Sequence, residues 1–167
     1  TRTTLTHGDY RPGDLLFAGV DRPALTGVLD WETALLGDPL MELGYFLLDW
    51  RRDDDPRPPL DDLEARYTDD EMEGVRNIHE RGLSPFTSKP GSLSRAELVA
   101  RYEERTGVEF ERERFYRAQA AFALATVWAD LHRLRVEAGA GDESGYPPLI
   151  DYMALVAAQI ADGEYPL

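Results

Sequence analysis

The sequence predicts an α+β fold, mostly helical, with one small β-hairpin near its beginning. Three observations carry that expectation. Two short apolar runs, Leu15-Leu16-Phe17 and Val28-Leu29, flank a segment holding Gly19, Asp21, Pro23 and Gly27, which is the punctuation of a hairpin. Capped or proline-led helix starts precede three- and four-residue apolar spacing at Asp38-Pro39, Ser94 and Pro147-Pro148. Between residues 115 and 136 the same spacing runs unbroken for about five turns, too long for a strand. At 167 residues the chain is long enough for one ordinary domain with its own core.

In the hairpin, Asp14 stands just before the first strand and Asp30 at the end of the second, so pairing brings them to the same end. Asp9 lies on the preceding loop, five residues before Asp14. Phosphoryl transfer needs a carboxylate beside the acceptor hydroxyl and oxygen ligands for the Mg²⁺ that bridges nucleotide phosphates. Each carboxylate alone reads as turn, cap or strand-end chemistry; their joint spacing points to a site.

His7-Gly8-Asp9 with Asp14 five positions on, then Leu29-Asp30-Trp31-Glu32 and Gly37-Asp38-Pro39-Leu40, resembles the aminoglycoside phosphotransferase and choline kinase superfamily, which has a protein-kinase-like fold. Ser94-Arg-Ala-Glu-Leu98 and Tyr102-Glu-Glu-Arg-Thr-Gly107 resemble the branch found fused to acyl-CoA dehydrogenase domains. The resemblance implies ATP, with GTP as the lesser alternative, and Mg²⁺ as cofactors, and a small hydroxylated molecule as acceptor. It makes Asp9 the catalytic carboxylate and Asp14 and Asp30 the metal ligands, with His7 and Asp38 as structural support. Asp14 stands where the family has asparagine; a carboxylate binds Mg²⁺ but lacks the amide donor, and it adds a third negative charge. Glu32 reads as a solvated residue or as shaping the site behind Asp30. Arg11 reads as an exposed loop residue with a minor route to acceptor or phosphate.

The resemblance also implies that residues 1–167 form the C-terminal, catalytic and helical lobe of a phosphotransferase. The N-terminal nucleotide-binding lobe, absent from this chain, is expected upstream. No Gly-rich phosphate loop and no strand-borne lysine are found; the single lysine, Lys89, sits in a Ser/Pro/Gly-rich loop. The fragment alone is therefore expected not to turn over ATP. A non-catalytic, pseudokinase-like binding domain is the main rival reading, favoured by Asp14 and the missing lobe. A metal-dependent hydrolase is disfavoured because no histidine cluster supplies further ligands.

The remaining elements follow in order. Asp38 and Pro39 read as N-cap and first position of a helix carrying Leu40, Leu43, Phe46, Leu47 and Trp50. Residues 51–62, rich in Pro, Asp and Arg, read as a solvent loop. Residues 63–81 read as one polar helix with a frayed middle, and 82–93 as a loop with His79, a surface histidine, near it; acceptor specificity is expected within 63–93. Ser94 and Glu97 form a capping box, with Gly107 as the stop. Phe115, Ala118, Phe122, Ala125, Ala129, His132 and Val136 draw the buried stripe expected of a central helix, flanked by Tyr116 and Trp128. Residues 139–145 read as a short flexible loop. A terminal helix starts at Pro147-Pro148, carries Leu149, Tyr152, Met153, Val156 and Ile160, and ends before Gly163.

The net charge of −14, from 18 basic and 32 acidic residues, argues against nucleic acid or an anionic membrane as partner. Without cysteine there is no disulfide and no thiolate chemistry, and without a secretory signal or long apolar run the expected location is cytoplasmic.

Overall fold

A computed structural model describes residues 2–139 and 145–167. The fold is α+β and mostly helical, with strands gathered in the first 37 residues. Strand β1 (Thr4–Thr6) pairs antiparallel with β4 (Leu35–Gly37), Thr4 opposite Gly37. The predicted hairpin is β2 (Leu15–Ala18) with β3 (Ala24–Val28), Leu15 opposite Val28 and a bulge between Leu16 and Phe17. Trp31 Nε1 donates to Val28 O at 2.8 Å and ties the chain back to the hairpin end.

Helix α1 (Pro39–Phe46) starts as the sequence predicts: Asp38 accepts from Leu40 N–H at 3.0 Å, with proline in the first position. Its Leu43 and, just beyond it, Leu47 are buried in a small core with Val99 and Phe110. Gly44 lets α1 approach the long helix closely, since a Cβ there would stand 2.7 Å from Tyr116 O. The expected single helix over 63–81 is instead two, α2 (Asp61–Glu64) and α3 (Asp69–Arg81). The break has a local cause: Thr68 and Glu71 form a capping box that starts a new helix. The segment before α2 is not a solvent loop throughout, because Asp55 and Pro58 are buried. Within 82–93, Pro85–Ser88 makes a 3-10 turn with Ser84 and Thr87 buried.

Helix α4 (Arg95–Thr106) carries the expected capping box and ends at Gly107 in the left-handed conformation. Helix α5 (Glu113–Glu137) packs along α6 (Tyr146–Asp162) and α1. The buried face of α5 differs from the predicted stripe. Arg117, Ala120, Ala121, Leu124 and Ala125 are inside, whereas Phe115 and Phe122 are 58% and 55% exposed and Val136 is also exposed. Small alanines permit the close approach of α6, and hydrophobicity alone gives alanine little weight, so the periodicity misplaced the face by a fraction of a turn. Trp128 packs against the larger core, with Met72, Val75, Tyr152, Met153 and Ile160. His79 is half-buried against Tyr152 rather than on the surface, and burial pushes its pKa down. His132 is also half-buried. Of the predicted 139–145 loop, residues 140–144 lie outside the described residues.

The strands make a contrasting layer. Leu5, Leu16, Phe17, Leu25, Leu35 and Leu36 are all exposed, so the two sheets present apolar side chains without a core of their own. No helix among the described residues is long and apolar enough to cross a membrane.

Candidate active site

The loop after β1 is built around His7, which is 2% exposed. Its Nε2 meets Leu29 O at 2.6 Å, and because a carbonyl only accepts, Nε2 carries the proton. Nδ1 is then the acceptor for Asp9 N–H at 3.4 Å, so a neutral imidazole links the loop to the end of the hairpin. Trp31 packs on the same ring at a centroid distance of 4.7 Å. These contacts tie the loop after β1 to the hairpin end and to Trp31.

The principal brace of this loop is a residue that the sequence reading missed. Glu42, one turn into α1, accepts from His7 N–H at 2.6 Å and from Gly8 N–H at 2.9 Å through one oxygen. Gly8 has φ +89°, and a Cβ there would stand 2.4 Å from Thr33 O; Thr33 Oγ1 also donates to His7 O. The turn therefore requires glycine. No local sequence signal marks Glu42, since its partners lie more than thirty residues earlier. Asp38, expected to support the site, caps α1 and accepts from Tyr116 OH at 2.9 Å, joining α1 to α5; the hydrogen bonds to the loop belong to Glu42.

Asp9 is half-buried at the end of the turn. Tyr45 on α1 donates its OH to Asp9 Oδ1 at 2.6 Å, and burial together with that bond to a carboxylate pushes the phenol pKa well up, keeping it a donor. Below the loop, Tyr10, Phe46 and Trp50 stack in sequence, with centroids 5.4 and 4.9 Å apart. The base of the loop is thus fixed to α1 by both polar and aromatic contacts.

Asp14 is 7% exposed and ends a 3-10 turn over Pro12–Asp14. Leu29 N–H donates to Asp14 O at 2.9 Å, extending the hairpin ladder by one pair beyond Leu15 and Val28. Asp30 follows immediately, exposed, with φ 61° and ψ 53°. Left-handed backbone at a non-glycine residue concentrates at functional sites, and aspartate is among the residues that tolerate it. Asp14 thus stands just before β2 and Asp30 just after β3, at the same end of the hairpin backbone. Arg11 lies between the carboxylates, its Nε 3.3 Å from Asp14 Oδ2 and 3.7 Å from Asp9 Oδ1. The loop arginine is therefore an ion-pair partner within the cluster. Glu32 sits in the exposed 3-10 turn over Trp31–Thr33 and has no hydrogen bond to the cluster.

The donor set consists of hard oxygens, the type that Mg²⁺ accepts. Among the described residues no three acidic or histidine side chains form a metal cage.

Residues 1–78 match the phosphotransferase enzyme family, APH. Over 47 residues the chain is 45% identical to acyl-CoA dehydrogenase family member 10 of Mus musculus, a match spanning 28% of this chain but only 4% of that protein. No solved structure matches the chain significantly. The family match ends before the two segments at 94–98 and 102–107 that suggested the branch. It spans the whole loop, hairpin and α1, so the likeness to the phosphotransferase enzyme family lies on the segment that carries Asp9, Asp14 and Asp30.

Proposed function

We propose that the chain is the catalytic, helical lobe of a small-molecule kinase, transferring the γ-phosphoryl group of ATP to an acceptor hydroxyl, with GTP as the lesser alternative donor. The acceptor oxygen forms a bond to γ-phosphorus, the bond from γ-phosphorus to the β–γ bridging oxygen breaks, and the hydroxyl proton passes to Asp9. Asp14 and Asp30 would hold the Mg²⁺, which would supply neutralisation of charge on the phosphates. The observation that supports this reading is that Arg11 joins Asp9 and Asp14 at the braced loop while Asp30 follows Leu29, whose N–H pairs with Asp14 O, all inside the family-matched segment. Tyr45 holds one oxygen of Asp9 and leaves the other for the acceptor.

The exposed apolar residues of the strands support the expectation of a nucleotide-binding lobe packed on this side in the parent protein. The parent is read as a cytoplasmic, two-lobed kinase-like enzyme, and the isolated chain as inactive towards ATP. One observation favours a second reading, a non-catalytic binding domain: Arg11 already pairs with both Asp9 and Asp14 and competes with a metal for their charge.

The test uses the parent with its upstream lobe, following transfer of labelled γ-phosphate to a panel of hydroxylated metabolites. Asp9→Asn is expected to lower the rate about 10²- to 10⁴-fold, as for loss of a positioned acid–base group, with nucleotide affinity kept. Asp30→Asn should weaken Mg²⁺-dependent nucleotide binding as well. Equal, mild effects of the two changes, or no transfer by the parent, would overturn the kinase reading.

A further inference from the structure

We propose that a pocket between the Asp9–Asp14 loop, the end of α1, the 82–84 segment and α5 is the acceptor subsite, where Asp49 binds a second hydroxyl of a small polyol that carries no negative charge. The proposal rests on the phosphotransferase reading and gives it a substrate class.

The pocket has a volume of about 400 Å³, and its polar wall is made by Arg11, Asp14, Tyr45, Asp49 and Ser84. Leu83, Leu124 and Trp128 supply an apolar side. It adjoins the proposed chemistry directly, because Tyr45 in its wall holds Asp9 and Arg11 in its wall pairs with Asp9 and Asp14. The volume lies within the range of ordinary small-molecule sites.

Asp49 is the unusual element. It is 6% exposed, yet its side chain has one neutral partner, Ser84 Oγ, which donates to Oδ1 at 2.6 Å. No cation reaches it within ion-pairing distance among the described residues. Fully buried carboxylates are rare unless paired, because a lone hydroxyl does not offset the loss of hydration. Burial raises the Asp49 pKa; Ser84 and Arg11 oppose this, while Asp9 and Asp14 add to it. The local main chain is already secured without the carboxylate, since Thr87 Oγ1 donates to Asp49 O and Asp49 N–H to Phe46 O. The carboxylate therefore adds little to the fold that an amide would not. Its second oxygen is left for a donor in the pocket.

The other walls define the donor. Asp14 and Asp49 in the wall, with Asp9 held beside it by Tyr45, repel phosphate and carboxylate groups, and the cation in the wall, Arg11, is occupied by Asp9 and Asp14. Hydrogen-bond acceptors outnumber donors, so the ligand must donate. The apolar side suits the carbon face of a compact ring or chain. A molecule with one hydroxyl at Asp9, another at Asp49 and no negative charge meets all of these conditions.

Saturation-transfer NMR on the full 167-residue chain, without nucleotide, tests this with uncharged polyols of three to six carbons and their phosphate monoesters. At least one polyol should bind, its phosphate ester should bind far more weakly, and Asp49→Asn should weaken the polyol by about ten- to hundredfold, the scale of a lost hydrogen bond to a charged group. Ser84→Ala, which leaves the carboxylate in place, should have the smaller effect. Absence of polyol binding, equal binding by Asp49→Asn, or preference for the esters would overturn the subsite. Because no nucleotide is present, failure of phosphoryl transfer with polyol binding intact would refute the kinase reading alone. Unfolding of Asp49→Asn would assign the carboxylate to structure and also overturn the proposal.

Discussion

Asp49 and Asp55 are six residues apart, both buried, and both just beyond α1, yet their surroundings differ in kind. Asp55 is held by both guanidinium Nη atoms of Arg95 and by Arg52 N–H. Arg95 also donates to Trp50 O and Pro166 O, and buried Arg117 pairs with Glu113 and reaches Tyr165 O and Pro166 O. This second network ties the 51–60 segment, the start of α4, the start of α5 and the chain end into one point. Asp49 has only Ser84 and faces a pocket. The same side chain acts structurally where charge and hydrogen bonds are matched, and is available to a ligand where they are not.

The comparison breaks most sharply at Arg95. Arg95→Ala leaves Asp55 buried without its partner and should cost about 3–5 kcal/mol, read as a fall in the denaturation midpoint. Arg133, which pairs with Asp130 and Glu137 on the exposed face of α5, is the control: Arg133→Ala should leave the midpoint unchanged. A small effect at Arg95 would remove the distinction between matched and unmatched buried charge.

Glu42→Ala tests the loop end and should have the next largest effect. Losing an ionised acceptor for two backbone donors costs about 1.5–3 kcal/mol, and amide exchange at His7 and Gly8 should rise more than exchange in α5. Uniform loss of protection would mean that Glu42 supports the whole fold rather than the loop.

The smallest effect is at Asp49, and its sign is informative. The folded-state pKa is raised above 3.8, so the charged form is disfavoured in the folded protein. Stability should therefore fall as pH rises from about the unfolded pKa through the folded one, and remain lower above it. Asp49→Asn should remove that decline, matching the native protein at low pH and exceeding it at neutral pH in thermal melts. A variant less stable at neutral pH would place Asp49 with Asp55 as a structural charge.

The features legible in the amino-acid order lie within short stretches of chain. The hairpin, the cap at Asp38-Pro39, the Ser94–Glu97 box and the stops at Gly107 and Gly163 follow from turn and capping chemistry between residues close in sequence. The placement of Asp14 and Asp30 at one end of the hairpin follows equally, because a short hairpin leaves few ways to pair Leu15 with Val28. The fold class was legible for the same reason. Even there, the Thr68–Glu71 box was passed over because its polar segment lacks strong apolar periodicity.

The distant groups that complete these local pieces come together through long-range packing. Glu42 reaches His7 across 35 residues, Tyr45 reaches Asp9 across 36, and Ser84 reaches Asp49 across 35. The same packing turns Ala120, Ala121 and Ala125 of α5 inward and leaves Phe115 and Phe122 outside. Hydrophobic spacing ranks residues by affinity for an apolar interior, whereas helix packing is also governed by how closely two backbones approach. Buried charge obeys a similar limit: a sequence shows that a carboxylate exists, but only three-dimensional packing shows whether a guanidinium, a hydroxyl or a pocket stands in front of it.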